Sequence, residues 1–246
     1  MREKTYFLDY KKRKSHGILS DPGSDDIVML CHGLGSSKER PEFLKLEESL
    51  NKKAISTFRF DFLGHGESEG RYKDFIVSEA VDDIIKARQF LKNKGYENIG
   101  FIGASIGGCA GIIAASKTYD FSFMILVSPA SNYKWRELFT KGISIFRELR
   151  KSKKTKLRKR RLKIKFFRDY KKYDIYKLAE NIKCPVLIVN GDADVVVPLK
   201  KTRELKKRMQ NAKLKIFPNT DHRYSDQKAK SKLVAITTEY AVKSGK

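Results

Sequence analysis

The chain has 246 residues, 40% of them hydrophobic, and carries 53 Lys and Arg against 29 Asp and Glu for a formal charge of +24. That length and apolar content suit one α/β domain with a substantial core, or one domain plus an insertion, and argue against two independent domains. No apolar run approaches the length that crosses a bilayer, and the charged, alternating opening MREKTYFLDYKKRKSHG lacks the apolar stretch of a secretory signal, so a cytoplasmic protein is expected.

In chain order, TYFLDY and SHGILS alternate as an opening pair of antiparallel strands, followed by a turn at Asp21-Pro22-Gly23. IVMLC, residues 27–31, is a buried strand, and Phe43, Leu46 and Leu50 fall at helical spacing within a helix of about residues 39–53. ISTFRFDF reads as the next strand, and VSEAVDDIIKARQFLKNKG as a helix that stops at Gly95. Then follow the strand IGFIG, the helix SIGGCAGIIAASK and the strand FSFMILVSP. After a long interval come the strand PVLIVNG, the helix LKKTRELKKRMQ, the strand AKLKIFP and the closing helix AKSKLVAITTEYAVKSG. Repeated βα units specify a mostly parallel sheet with helices on both faces, an α/β fold.

The interval from Pro129 to Lys183 breaks this rhythm and is too long for a simple connection in a compact domain. It is read as an inserted cap, residues 129–183, leaving a core of 1–128 and 184–246. Because the insertion leaves a carboxyl-terminal strand end, where open α/β sheets bind ligands, the cap is expected to overhang the site. Residues 147–172 hold fifteen Lys or Arg against Glu148 and Asp169, a local charge of about +13 (15 minus 2). Such a run can hold nucleic acid or an anionic membrane through counterion release, or can be a solvated face. The interleaved Leu157, Leu162, Ile164, Phe166, Phe167 and Tyr170 predict that part of it packs against other parts of the molecule or a partner. Neither an internal repeat nor a nucleic-acid-binding motif is present. The three cysteines, Cys31, Cys109 and Cys184, are widely spaced and flanked by apolar or small residues, as expected of reduced, buried thiols.

Two pentapeptides read G-x-S-x-G: Gly103 to Gly107 around Ser105, and Gly66 to Gly70 around Ser68. A nucleophile on a strand-to-helix turn needs a buried strand ending immediately before it, and small neighbours where the backbone is strained and the helix packs close. Ser105 has both, with IGFIG leading in and Gly103, Gly107 and Gly108 around it. The strand before Ser68 ended near Phe62 and charged residues follow, so GESEG reads as a turn. The helix after Ser105 offers backbone N–H groups, that of Ile106 placed to stabilise an oxyanion.

A serine nucleophile needs a base, and the chain has four histidines. His16 lies in the opening hairpin, and His32 and His65 sit in Gly-rich turns that could approach the site. His222 follows the strand AKLKIFP, at the same sheet edge as Ser105. The orienting carboxylate is sought in VNGDADVVVP, where Asp192 and Asp194 are both candidates and one is expected to cap the following helix instead.

The order Ser, Asp, His resembles that of the α/β-hydrolase superfamily, and the likeness extends over nearly the full length. Gly191 to Pro198, reading G-x-x-D-x-x-V-P, resembles the segment in which that family's acid corresponds to Asp194. LCHGLGSS resembles its oxyanion loop, implying a second donor at the backbone N–H of Leu34, with His32 shaping the loop. FDFLGHGESEG resembles the family's structural D-x-x-G-H-G-x-S segment, which accounts for Ser68. More narrowly, HGLGSSKERPEF, FRFDFLGHGESEG and FFRDYKKYDIYKLAENIKCPVLIVNGDAD resemble the feruloyl (cinnamoyl) esterase branch, with serine aminopeptidase-like and monoacylglycerol lipase-like relatives sharing much of the pattern.

The resemblance implies a serine carboxylesterase acting on a small-molecule ester through Ser105, Asp194 and His222, with no metal or cofactor. Thioesterase, acyltransferase and aminopeptidase-like chemistry would use the same three residues. A different class of reading is a hydrolase-like scaffold that binds nucleic acid or an anionic membrane through residues 147–172.

Overall fold

The structure, a computed structural model, describes residues 1–118, 121–131, 162 and 164–245. Eight strands form one sheet: β1 (Arg2–Leu8), β2 (Lys14–Ser20), β3 (Asp26–Cys31), β4 (Ser56–Phe60), β5 (Asn98–Ala104), β6 (Met124–Val127), β7 (Val186–Gly191) and β8 (Ala212–Phe217), in spatial order β1-β2-β4-β3-β5-β6-β7-β8. The β1–β2 and β2–β4 pairs are antiparallel and the remaining pairs parallel. Among the described residues the α-helices are α1 (Pro41–Asn51), α2 (Val77–Asn93), α3 (Ile106–Thr118), α4 (Ile164–Tyr170), α5 (Ile175–Ala179), α6 (Leu199–Arg208) and α7 (Gln227–Ser244). This is the α/β-hydrolase arrangement that the sequence implied.

The two-residue period of the strands divides the core. In β3, Ile27, Met29 and Cys31 point to the face covered by α2 and α3, while Val28 and Leu30 point to the face covered by α1 and α7. Both faces are therefore apolar, as a parallel sheet between helix layers requires, and the central strands read as near-continuous hydrophobic runs.

Strand ends differ from the sequence reading where local hydrogen bonds intervene. The run FSFMILVSP forms a strand only over Met124–Val127, because Ser128 turns to φ 44 while its N–H donates to the Val189 carbonyl. ISTFRFDF stops at Phe60; Asp61 instead turns its carboxylate onto the loop that follows β3.

The cap expected over residues 129–183 falls in the interval between β6 and β7, where residues 132–161 and 163, and with them most of the basic run, lie outside the described residues. Within the described part, Phe166 and Tyr170 are buried, and Leu162 and Phe167 pack partly against the core. Ile164 is exposed, so only part of the run packs; Leu157 lies outside the described residues. All three cysteines are free; Cys31 and Cys109 are buried, whereas Cys184 is only half-buried. Burial raises the Cys184 thiol to about 11, so it stays protonated and unreactive near neutrality. Among the described residues no helix is long and apolar enough to cross a membrane.

Candidate active site

β5 ends at Ala104 and α3 begins at Ile106, leaving Ser105 alone on the turn between them. Its φ is 52, in the left-handed region that non-glycine residues seldom adopt. The strained turn is held on both sides: Ser105 N–H donates to the Val127 carbonyl, and the Ser105 carbonyl accepts from Cys109 and Ala130. α3 lies hard against the end of β3. A Cβ on Gly107 would stand 2.5 Å from the carbonyl oxygens of Cys31 and His32, so only glycine allows the helix this close. The second glycine of G-x-S-x-G thus has a packing cause.

Asp194 and His222 follow β7 and β8 respectively, at the same edge of the sheet. Asp194 is 3% exposed. Its Oδ1 accepts from the backbone N–H groups of Val196 at 2.9 Å and Val197 at 2.7 Å. Its Oδ2 lies 2.8 Å from His222 Nδ1. A carboxylate can only accept, so Nδ1 carries the imidazole proton and Nε2 is left bare. That bare nitrogen is 3.2 Å from Ser105 Oγ. Chemically, the arrangement can draw a proton from the serine hydroxyl and stabilise the resulting imidazolium. Asp192, the other candidate, is exposed, and its backbone N–H donates to the Phe217 carbonyl.

The loop after β3 passes over the Ser105 turn, and a Cβ on Gly33 would come within 3.3 Å of Ser105 Cβ. This brings the loop that carries Leu34 next to the turn that carries Ser105. The two turn histidines brace that loop. His32 is fully buried; its Nε2 accepts from Phe62 N–H and its Nδ1 donates to the Gly33 carbonyl. Burial, and after it the neighbouring His65, holds the His32 imidazole well below its ordinary value, so it stays neutral in this role. His65 Nε2 accepts from Gly35 N–H at 3.2 Å. His16 stays in β2, where its backbone N–H donates to Ser68 Oγ.

Ser68 is buried in its own turn; it accepts from His16 N–H at 2.8 Å and donates to the Asp61 carbonyl at 2.6 Å. Sequence reasoning missed Asn190. It is fully buried at the end of β7, donates to the Gly191 and Val197 carbonyls and accepts from the Thr202 hydroxyl, bracing the turn that carries Asp194. The signal was one amide inside the otherwise apolar VLIVNG, which needs internal partners once buried. Among the described residues no group of three or more His, Cys, Asp or Glu side chains could hold a metal ion.

Comparison with known proteins places this geometry in context. The sequence model of the prolyl oligopeptidase family matches residues 72–246. The serine hydrolase BPHL of Homo sapiens is 25% identical over 227 residues, covering 82% of this chain and 76% of that protein. In fold, the chain is similar to the ferulic-acid-bound Est1E from Butyrivibrio proteoclasticus, with a TM-score of 0.79, 21% identity and 98% of each chain covered. It is also similar to the Pyrococcus furiosus esterase Pf2001, with a TM-score of 0.80 and 20% identity over 100% of this chain and 92% of that one.

Proposed function

The chain belongs to the prolyl oligopeptidase family and is a serine hydrolase of the α/β-hydrolase type; from that and the site geometry we propose that it cleaves small carboxylic esters by a two-step acyl-enzyme mechanism. The observation that carries the reading is the unbroken line from Ser105 Oγ through the His222 ring to Asp194, at 3.2 Å and 2.8 Å. In the first step Ser105 attacks the ester carbonyl while His222 Nε2 takes its proton, and Asp194 holds the tautomer and offsets the imidazolium charge. The N–H groups of Leu34 and Ile106 receive the oxyanion. His222 returns the proton to the departing alcohol, then activates the water that releases the acid and regenerates Ser105.

Aryl-acrylic esters such as ferulates, or short-chain esters, are the proposed substrates. The ferulate reading draws on the fold likeness to the ferulic-acid-bound esterase and on the cap-region sequence. Residues 129–183 are proposed to form the cap that shapes the acyl pocket, and the chain to work in the cytoplasm. A panel of p-nitrophenyl butyrate, methyl ferulate, an acyl-CoA and an aminoacyl anilide, with Ser105→Ala as the blank, tests this. Turnover of the esters by wild type and none by Ser105→Ala is the expected result. Equal rates in both proteins would sink the assignment, and preference for the anilide or the thioester would move the substrate class.

The charge of the 147–172 run favours a second role beside catalysis, contact with nucleic acid or an anionic membrane. Salt-sensitive retention on heparin that disappears when Lys159, Arg160 and Arg161 are neutralised supports it. Retention unchanged by that substitution removes it.

A further inference from the structure

We propose that His65 is a positioning residue for the oxyanion loop and that its setting depends on α4, the helix through which the chain returns toward β7. The proposal rests on the assignment of the Leu34 N–H as an oxyanion donor.

Leu34 lies between Gly33 and Gly35, and Gly35 has a φ of 70. A donor flanked by glycines is held in place only by what its neighbours bond to, because glycine gives the backbone the widest range of φ and ψ. Ser36 N–H donates to the Gly33 carbonyl at 3.2 Å, closing the turn from within. From outside the turn, His65 Nε2 accepts from Gly35 N–H at 3.2 Å. That bond fixes the peptide plane between Leu34 and Gly35, one residue beyond the donor N–H.

The His65 ring is itself gripped by aromatic contacts. It meets Phe75 edge-on, with centroids 4.8 Å apart and planes at 81°, and Tyr72 at 5.0 Å and 71°. Phe75 in turn stacks on Phe166 of α4 at 6.0 Å and 25°. Phe166 and Phe75 are both buried, so a change in one is transmitted as a packing change and not absorbed by solvent.

α4 is anchored on the same side of the sheet. α2 begins without a side-chain cap of its own at Ile76. Its orphan N–H at Ser78 is taken at 2.7 Å by Asp169 Oδ2, from 91 residues further along the chain. The Ser78 hydroxyl donates to Asp169 Oδ1 at 2.6 Å and meets the Tyr173 hydroxyl at 2.8 Å. Asp169 is 3% exposed and also pairs with Lys172 at 3.1 Å. Sequence-distant Asp169 therefore clamps α4 to the N-terminus of α2, presenting Phe166 to Phe75. The relay runs from Asp169 and Phe166 through Phe75 and His65 to Gly35, so the seating of α4 bears on the peptide next to the one that carries the Leu34 N–H, whose own Gly33 carbonyl is held by His32 Nδ1 at 2.8 Å.

kcat and KM for p-nitrophenyl butyrate, together with Tm, are measured for His65→Leu, His65→Gln, Phe166→Leu and Asp169→Asn, and for the double variants that combine His65→Leu with each α4 change. His65→Leu is expected to lower kcat by about 10- to 100-fold with KM within about threefold, the signature of a transition-state donor held loosely. His65→Gln, whose Oε1 can accept where Nε2 did, should recover most of that loss. Phe166→Leu and Asp169→Asn should each lower kcat by roughly 3- to 10-fold in the wild-type background and have almost no further effect in His65→Leu, because their action passes through His65.

Effects that multiply in the double variants overturn the relay. Equal losses in His65→Leu and His65→Gln overturn the positioning role. Should His65→Leu not fold, the cycle is run in His65→Gln, which keeps an acceptor but lacks the ring that meets Phe75: loss of sensitivity to Phe166→Leu, read in kcat at unchanged KM, supports the relay and retained sensitivity overturns it. Ester turnover by Ser105→Ala equal to wild type would overturn the underlying assignment instead.

Discussion

Lys38 and Asp61 hold each other twice: the Asp61 carboxylate accepts from the Lys38 backbone N–H at 2.7 Å and from its ammonium at 2.6 Å. Both side chains are essentially excluded from solvent, and only Glu67, which shares the ammonium at 2.6 Å, reaches water. Removing one member strands the other charge in the interior, where breaking a buried pair costs about 3–5 kcal/mol. Lys38→Met is therefore expected to lower the unfolding free energy in urea by that amount. Because Asp61 would also lose an anchor on the loop after β3, kcat should fall as well. A loss below about 1 kcal/mol, the ordinary worth of an exposed pair, would show that the site is wetter than its burial implies.

The two G-x-S-x-G pentapeptides separate in a single comparison. Ser68→Ala removes an acceptor for His16 N–H and a donor to the Asp61 carbonyl, both inside a buried turn. It should cost about 1–3 kcal/mol of stability while kcat at 25 °C stays within about threefold of wild type. Loss of turnover in Ser68→Ala on a scale comparable to Ser105→Ala, with Tm unchanged, would contradict the structural reading of Ser68.

Gly107→Ala probes the Ser105 turn from beneath. The added methyl would meet two backbone carbonyls, of Cys31 and His32, at 2.5 Å, and backbone cannot rotate away as a side chain can. α3 must then lift off β3, at a cost of at least 1–3 kcal/mol for overpacking, and it carries the Ser105 turn and the Ile106 peptide with it. Both Tm and kcat should drop; a variant with wild-type Tm and kcat would mean that the helix tolerates the shift.

Much of this was legible in the residues. The alternation of βα units specifies the sheet, and the setting of Ser105 between IGFIG and a small-residue helix distinguishes it from Ser68 in the sequence itself. The choice between Asp192 and Asp194 was not decided by the residues themselves, since both lie in one turn; it took the family's spacing, and the structure turns Asp194 inward to His222 while leaving Asp192 exposed. Long-range partnerships were illegible. Nothing in a sequence window joins Asp169 to Ser78, or Asn190 to Thr202, because those bonds depend on where the sheet brings distant segments. The strand ends at Phe60 and Val127 were overrun for the same reason: Asp61 and Ser128 are drawn out of β geometry by partners remote in the chain.

Asp194→Asn tests the tautomer argument. The amide keeps the size of the side chain and retains an acceptor for Val196 and Val197, but the group facing His222 becomes one that can donate. A donor there favours the tautomer with the proton on Nε2, the atom that must be bare to accept from Ser105. The expected loss in kcat is on the order of 10⁴, with Tm little changed. A loss under about tenfold would show that the carboxylate does not orient the base.

Asp83 supplies a pH test away from the site. It is fully buried in α2, where it accepts from Leu63 N–H at 2.9 Å and from the Ser15 hydroxyl at 3.3 Å. Burial, the largest influence, pushes its carboxyl well above the usual carboxylate range; the two hydrogen bonds pull the other way and the nearby Asp9 and Glu79 add to the rise. The fold therefore keeps a proton that the unfolded chain, with an ordinary carboxyl near about 4, gives up. Below about pH 4 both states are protonated and the contribution of Asp83 is fully present. As pH rises above that, the unfolded state is favoured by about 1.4 kcal/mol per unit until the folded carboxyl itself ionises. Asp83→Asn keeps an acceptor for Leu63 and removes the titration. Urea unfolding at pH 5 and pH 8 should show the variant gaining on wild type as pH rises, a difference from which the other titrating groups cancel. A stability difference that is the same at both pH values would mean that Asp83 is ionised in the folded protein.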